Sequence, residues 1–416
     1  MKNADVFKVF YIPAFLMYLS RYLTITVIPL FVVRVLKESE TTAGMALSMI
    51  GLGKVLMDLP AGLLIERLGC VSLMLKSGLI MAISCLLTMA SSIHLVFLMV
   101  GLLVYGMGMS LMHVSWQELL NSKVPSDQRG NVSAHIGGVA RLTFIISPLT
   151  GAALYSSGGF TLVTLSQALL AAAAVIPIMT WVHDEITNDV RSNMSFKEVV
   201  IEHARPITTC GSLILGLQIM RESRRLALPL IALRLGWSLY QISMLLTFSY
   251  CFDLAFYPVA AKLYSTKGVK YAAVCSVVIF AISMFFTAAG IDASPLLWVS
   301  AAVSGIANGV AAGIGLVIGA EICSSNGGPK FASIWRLIMD ASEFIGPLVS
   351  GILLNIFPLP FAFAFMMCFG FAGLAAYLGD YVVEINFLKK TNANTIFGQQ
   401  STHPSDFSKE SEKVNI

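Results

Sequence analysis

The sequence predicts an all-α integral membrane protein: about twelve transmembrane helices in two pseudo-symmetric six-helix bundles, both termini cytoplasmic. Three observations predict it. Hydrophobic residues make up 56% of the chain, charged residues 12%, and mean hydropathy is +0.79; a soluble domain carries about 25% charged residues. Apolar runs of about 20 residues, enough to cross a bilayer, recur some twelve times. The phrase R-x7-P-L-x3-R occurs at Arg21, Pro29, Leu30 and Arg34, and again at Arg221, Pro229, Leu230 and Arg234. A repeat at half the chain length fixes the architecture, because it says that two similar units are joined.

The runs lie at approximately 10–33, 42–64, 71–91, 94–118, 132–155, 160–182, 207–233, 239–262, 271–290, 295–319, 332–355 and 360–385, by a span-length hydropathy window. We number them spans 1 to 12. Loop charges orient them. One set of loops holds Lys2, Lys8, Arg67, Lys123, Arg129, Arg191, Lys197, Arg205, Lys262, Lys267, Lys270, Lys330, Lys389 and Lys390; the other holds little beyond Arg34, Lys37 and Arg234. The net charge of +4 follows from this bias, so no nucleic-acid partner is inferred. The first run is too long for a cleaved signal peptide and lacks a small-residue cleavage site.

Residues 1–182 form the expected N-terminal bundle and 207–388 the C-terminal one. Between them, 183–206 is polar, with Asp184, Glu185, Asp189, Arg191, Lys197, Glu198 and Glu202. It reads as a cytoplasmic linker, with an amphipathic helix near Phe196 to Ile201 lying on the membrane. Residues 389–416 are polar, rich in Ser, Asn and Lys, and are expected to be a disordered cytoplasmic tail. The seven cysteines show no metal-ligand or CxxC spacing, so inert packing is expected of them and no metal site. Asn131 and Asn193 begin N-x-S patterns, but both fall on the predicted cytoplasmic side.

The repeat extends inward. Asp58-Leu59 matches Asp253-Leu254, each followed by a proline, Pro60 and Pro258. Gly106 and Gly108 match the region of Gly305 to Gly309, and Pro148 matches Pro347. Halves related this way place a substrate site near the bilayer midplane, between them.

These motifs resemble the major facilitator superfamily. The stretch 62–70, with Gly62, Glu66, Arg67 and Gly69, is similar to the family's loop 2–3 signature, with Cys70 and Val71 in place of the usual basic pair. Residues 124–130 resemble its loop 4–5. Ser147, Pro148 and Gly151 resemble a span 5 signature linked to antiporters, while Leu102 stands where drug–proton antiporters carry an arginine. Residues Gly305 to Glu321, Trp335-Arg336 and Asp340 to Pro347 resemble a bacterial efflux-like branch, with Glu321 and Ser342 as departures. The resemblance implies that spans 1, 4, 7 and 10 line a central cavity, and that spans 2 and 11, and 5 and 8, meet across the halves.

Charges inside spans are costly, about 2.5–3.5 kcal/mol each on an insertion scale, so they pair or line water. Within this fold Arg141–Asp253 and Arg336–Asp58 become two pseudo-symmetric salt bridges, expected to close a cytoplasmic gate in the outward-facing state. The alternative is pairing within a half, such as Lys54 with Asp58 at i, i+4. Arg221, Arg224 and Arg225 share a face of span 7, and Arg21 matches Arg221. A basic cavity of Arg21 and Arg221 favours an anionic substrate, with Trp116, Gln117 and Asn308 as further handles. The alternative is that some of these arginines neutralise Glu222 or reach headgroups. Proton coupling needs a carboxyl whose pKa burial raises; Glu222, Asp340 and Glu343 are the candidates, Glu222 first. His113 could also titrate, but a lone histidine in a span is more often simply hydrogen-bonded. Pro29 and Pro229 read either as hinges or as packing kinks.

No phosphate-binding loop, catalytic triad or metal cluster emerges, so neither an enzyme nor a cofactor is expected, and an ion gradient, taken as H+, supplies the energy. The expectation is a proton-coupled exporter of a small acidic or amphipathic molecule, monomeric, in a bacterial inner membrane. An uptake symporter for an organic anion is the second reading, and a non-transporting sensor or scaffold the third.

Overall fold

The computed structural model describes residues 6–182, 195–291, 293–322 and 328–400. Ten helical runs in it are long and apolar enough to cross a membrane. One of them, Gln128–Trp181, has 54 residues, about 80 Å as a straight helix and far more than one crossing needs. It folds in two at Gly158 and Gly159, where φ reaches 66° at Gly159. A further helix, Ala204–Arg234, is long enough but carries Arg221, Glu222, Arg224 and Arg225 close together in its apolar stretch. Counting the folded run twice and adding this helix gives twelve crossings among the described residues.

The observed spans are Phe7–Val35, Glu40–Leu68, Cys70–Met89 and Leu95–Lys123, then the folded pair, then Ala204–Arg234, Leu239–Lys267, Val269–Ala289, Pro295–Ile322, Gly328–Ile356 and Leu359–Gln400. The chain starts at one face, here the near face, and reaches the far face at each odd-numbered crossing. Linker residues 183–194, which include Asp184, Glu185, Asp189, Arg191 and Asn193, lie outside the described residues, as do tail residues 401–416. Span 12 continues as helix to Gln400, so 389–400 is helical where a disordered tail was expected. Adding residues to a long existing helix needs no new nucleus. The linker helix, Phe196–Glu202, starts with a capping box between Ser195 and Glu198. It buries Val199 completely, and His203 just beyond it lies against the ring of Phe331 of span 11, tilted, at 4.9 Å. Docking on protein, and not only on lipid, therefore fixes it.

The repeat reaches the level of backbone turns. Lys37 and Gly236 both have positive φ, 58° and 79°, at the far-face turns after spans 1 and 7. Ser39 and Ser238 then cap spans 2 and 8. At the near face, Gly69 and Gly268 turn the chain at φ 76° and 82°, a region that only glycine enters freely. Gly106 and Gly305 sit where a Cβ would collide with the carbonyl oxygens of Ile50 and Ser249. Small residues let membrane helices approach closely, where burial from water supplies no drive.

Spans 1–6 pack on one another, and spans 7–12 likewise. Between the two groups, span 2 runs along span 11 and span 5 along span 8, while span 1 meets span 7 through its far segment, Val27–Leu30. The hydrophobic core follows the same pattern. Far-end residues such as Ile28, Leu98, Leu102 and Val163 join one core with the C-terminal half. Near-end residues such as Phe10, Met74, Met112 and Ile178 form a separate core. The halves thus share one apolar core at the far end, while at the near end the N-terminal half keeps a core of its own.

The two prolines of the repeated phrase differ. Span 1 breaks at Thr26, before Pro29, and continues as a π-turn over Phe31–Val35. Span 7 runs unbroken through Pro229.

Candidate functional site

Span 2 carries Lys54 and Asp58 one turn apart. Span 11 carries Arg336, Asp340 and Glu343 at spacings of four and three, so they share a stripe. The two stripes face each other. Lys54 Nζ lies 2.6 Å from Asp340 Oδ1 and 3.0 Å from Glu343 Oε2. Arg336 Nε lies 3.3 Å from Asp340 Oδ2 and 3.8 Å from Asp58 Oδ1. Arg21, from span 1, donates to Glu343 Oε2 at 2.6 Å. The result is one chain of alternating sign: Asp58, Arg336, Asp340, Lys54, Glu343, Arg21. Lys54 is 2% exposed and Asp58 is fully buried. Charges at that depth persist only when paired, and here most partners come from the opposite half. The alternative, Lys54 paired with Asp58 within the half, is not what forms: Lys54 turns to span 11.

Arg141 and Asp253 form the second cross-half contact, at 3.2 Å. Arg141 also donates to Gly137 O and stacks over Tyr257 at 4.1 Å. Each aspartate of the repeat has a second partner from its own half. Ser110 donates to Asp58 at 2.5 Å, and Asn308 Nδ2 to Asp253 Oδ2 at 2.6 Å. Asn308 thus serves Asp253.

In span 7, Arg225 donates to both oxygens of Glu222, at 2.7 and 2.6 Å. Arg224 turns into its own half and donates to Ser249 and Ser304, both at 3.0 Å. Arg221 has no hydrogen-bond or ion-pair partner among the described residues, and its Nε is buried. Arg21 and Arg225 both stand over the ring of Tyr22, at 5.4 Å. Together with Glu222, Glu343, Leu47 and Pro347 they line a cavity of about 20 Å³. That is room for about one water.

The far end is latched. Arg234 donates from Nε and Nη2 to the two oxygens of Glu40, each at 2.6 Å, and to Leu354 O at 2.7 Å. Arg34, its match in the repeat, donates to Trp237 O at 3.1 Å. Both contacts cross between the halves.

Other expected site residues stand apart. Trp116 is buried in the near core of the N-terminal half, with Nε1 unpartnered, and Gln117 is exposed. His113 is not hydrogen-bonded as expected: both ring nitrogens are buried without a partner, beside Tyr18 at 6.0 Å. In loop 2–3, Gly69 makes the turn, Arg67 is exposed, and Gly62 faces Ser333 of span 11. The side chain of Glu66 is not described. Sequence reasoning missed the Lys54 and Glu40 pairings. Only the lysine's depth in span 2 marked it as needing a partner.

Twelve spans in two packed groups, with charged residues concentrated between the groups, define a secondary-transporter architecture. The family model of the Major Facilitator Superfamily matches residues 10–225 and 211–403, and the chain belongs to that family. The family is one of transporters, not enzymes. Among solved structures, the nucleoside transporter NupG superposes with TM-score 0.70 at 15% identity, covering 92% of this chain and 99% of that one. A POT family transporter in complex with a thioalcohol-conjugated peptide gives 0.72 at 13%, covering 91% and 96%. Another, in complex with 5-aminolevulinic acid, gives 0.71 at 13%, covering 90% and 95%. A search of curated proteins found no match.

Proposed function

We propose that the chain is a proton-coupled exporter of a small acidic or amphipathic molecule, working by alternating access between halves 1–182 and 207–388. One observation carries the anionic preference. The central acids Asp58, Glu222, Asp253, Asp340 and Glu343 all have a basic partner, whereas Arg221 and Arg224 have no carboxylate. Two positive charges are left over, Arg224 buried and Arg221 partly so, and Arg221 has its donors to spare. A substrate carboxylate or phosphate supplies the missing charge through charge-assisted hydrogen bonds.

Proton coupling rests on the shared carboxylates. Asp340 is divided between Lys54 and Arg336, and Glu343 between Lys54 and Arg21. A proton on either carboxyl releases a cation held across the halves. Glu222 lines the same cavity but is tied to Arg225 of its own helix, which makes Asp340 and Glu343 the better candidates. In this reading the near face is cytoplasmic, following its Lys and Arg, and the protein works as a monomer in a bacterial inner membrane. Export follows the resemblance of residues 305–347 to the efflux-like branch.

The test is reconstitution in liposomes with an internal pH dye and a panel of organic anions against an imposed pH gradient. Proton flux opposite to substrate flux is the expected result. Proton flux in the same direction would make it an uptake symporter, and counterflow without proton movement would reject coupling. Arg221→Gln should raise KM for the anion about tenfold or more, the loss of one charged hydrogen bond.

A further inference from the structure

A run of rings crosses the middle of the molecule. His113 of span 4 lies 6.0 Å from Tyr18 of span 1, and Tyr18 lies 6.4 Å from Phe144 of span 5. Phe144 in turn lies 4.2 Å from Tyr22 and 5.6 Å from Tyr250 of span 8. Tyr250 is the member from the C-terminal half, so its contact with Phe144 crosses between the halves. Tyr22 and Tyr250 are buried, whereas Tyr18, Phe144 and His113 keep part of their surface. These rings touch one another across spans 1, 4, 5 and 8, so that surface belongs to the interior. Both nitrogens of His113 are buried without a hydrogen bond. A neutral imidazole offers one donor and one acceptor, and leaving them unmade away from water is costly. The repeat puts Arg221 of span 7 at the depth of Arg21 in span 1, between Tyr18 and Tyr22. Arg21 and Arg225 already stand over the ring of Tyr22.

We propose that the transported anion carries an aromatic ring with a polar substituent. This rests on the anionic reading above and adds the body of the molecule to its charge. The anionic group pairs with Arg221 through charge-assisted hydrogen bonds. When the halves part, Phe144 and Tyr250 separate, and the substrate ring enters between them and against Tyr18. Aromatic rings attract one another edge-on or offset at about 4.5–7 Å between centroids, the spacing at which the protein's own rings now meet. The substituent, a hydroxyl or a ring nitrogen, supplies the partner that His113 lacks.

The experiment is isothermal titration of the full chain in detergent with four probes: phenylacetate, para-hydroxyphenylacetate, cyclohexylacetate and phenylacetamide. Phenylacetate should bind about fivefold tighter than cyclohexylacetate, the worth of one aromatic contact. Cyclohexyl is the more apolar group, so burial of apolar surface alone predicts the reverse order. The para-hydroxyl should add about another fivefold, the worth of one hydrogen bond. Phe144→Leu should erase the preference for phenyl over cyclohexyl, and Phe144→Tyr should keep it. His113→Phe should erase the gain from the hydroxyl and leave the phenyl preference. An unchanged melting temperature certifies that each variant folds, and Tyr18→Leu, expected to reduce the phenyl preference, replaces a Phe144 variant that does not. Cyclohexylacetate binding as tightly as phenylacetate, or a phenyl preference that survives Phe144→Leu, would overturn the ring and leave the anionic reading standing. Phenylacetamide binding as tightly as phenylacetate would overturn the anionic reading instead. No binding by any of the four would overturn both.

Discussion

Lys54 Nζ stands 2.6 Å from Asp340 Oδ1, across the interface between halves and 286 residues away in sequence. The lysine has no counterpart in the repeat: 195 residues on, where Asp58 meets Asp253, stands Ser249. In the register that pairs Pro148 with Pro347, Asp340 and Glu343 fall on Arg141 and Phe144 of the first half, so neither acid is repeated. The pseudo-symmetric charges brace both sides of the interface, while these asymmetric ones make spans 2 and 11 unlike spans 5 and 8.

Replacing Lys54 by Met leaves Asp340 and Glu343 with one cation each. Breaking a buried pair from one side costs about 3–5 kcal/mol. We expect Lys54→Met to lower the melting temperature in detergent clearly, and Lys54→Met with Asp340→Leu to recover most of the loss. A single variant as stable as the parent would show that the pair does not hold the halves.

The pair Arg141–Asp253 is tested by exchange. Arg141→Asp and Asp253→Arg should each abolish transport, and the double exchange should restore part of it. Arg336 and Asp58 should behave alike, with a smaller rescue, because their contact is longer at 3.8 Å and Arg336 also serves Asp340. Normal transport by Asp253→Ala would remove the gating role.

The latch of Arg234 on Glu40 is partly exposed, so its worth is near the upper end for surface pairs, about 1 kcal/mol. That is about a fivefold change in population. Glu40→Gln should therefore open the far end several times more often. The readout is the labelling rate of Leu47→Cys, which lines the central cavity, by an impermeant maleimide in a cysteine-free background. An unaltered rate would mean that the fused apolar core alone keeps the far end shut.

At Gly51 a Cβ would collide with the backbone of Glu343 and Phe344. Gly51→Ala must push span 11 outward, and overpacking of this kind costs about 1–3 kcal/mol. The displacement falls on the contact of Lys54 with Glu343. We expect folded protein with transport reduced at least severalfold, measured by counterflow. Gly130, with nothing near its Cβ, is the control and should tolerate alanine.

The backbone N–H of Ser195 holds the Glu198 carboxyl below the usual carboxylate range. A depressed folded pKa means that the cap is intact above the ordinary carboxylate pKa and is lost as pH falls through the depressed value. Hydrogen exchange over residues 196–202 should quicken on acidification, and this pH dependence should vanish in Glu198→Gln.

The sequence by itself determined the membrane class, the twelve crossings and the two-fold repeat. Apolar run length and repeat spacing are local properties, and the bilayer reads them without reference to partners. It also placed Arg141 with Asp253 and Arg336 with Asp58, because the repeat and the family resemblance together implied which spans adjoin. Only the tertiary structure decided where Lys54 points, that Arg21 spends its charge on Glu343, that Arg224 turns into its own half, and that Arg221 is left without a partner. A buried charge takes whichever opposite charge lies within about 3 Å. That choice depends on helix rotation and the closeness of glycine-lined backbones, and neither is written in any one span.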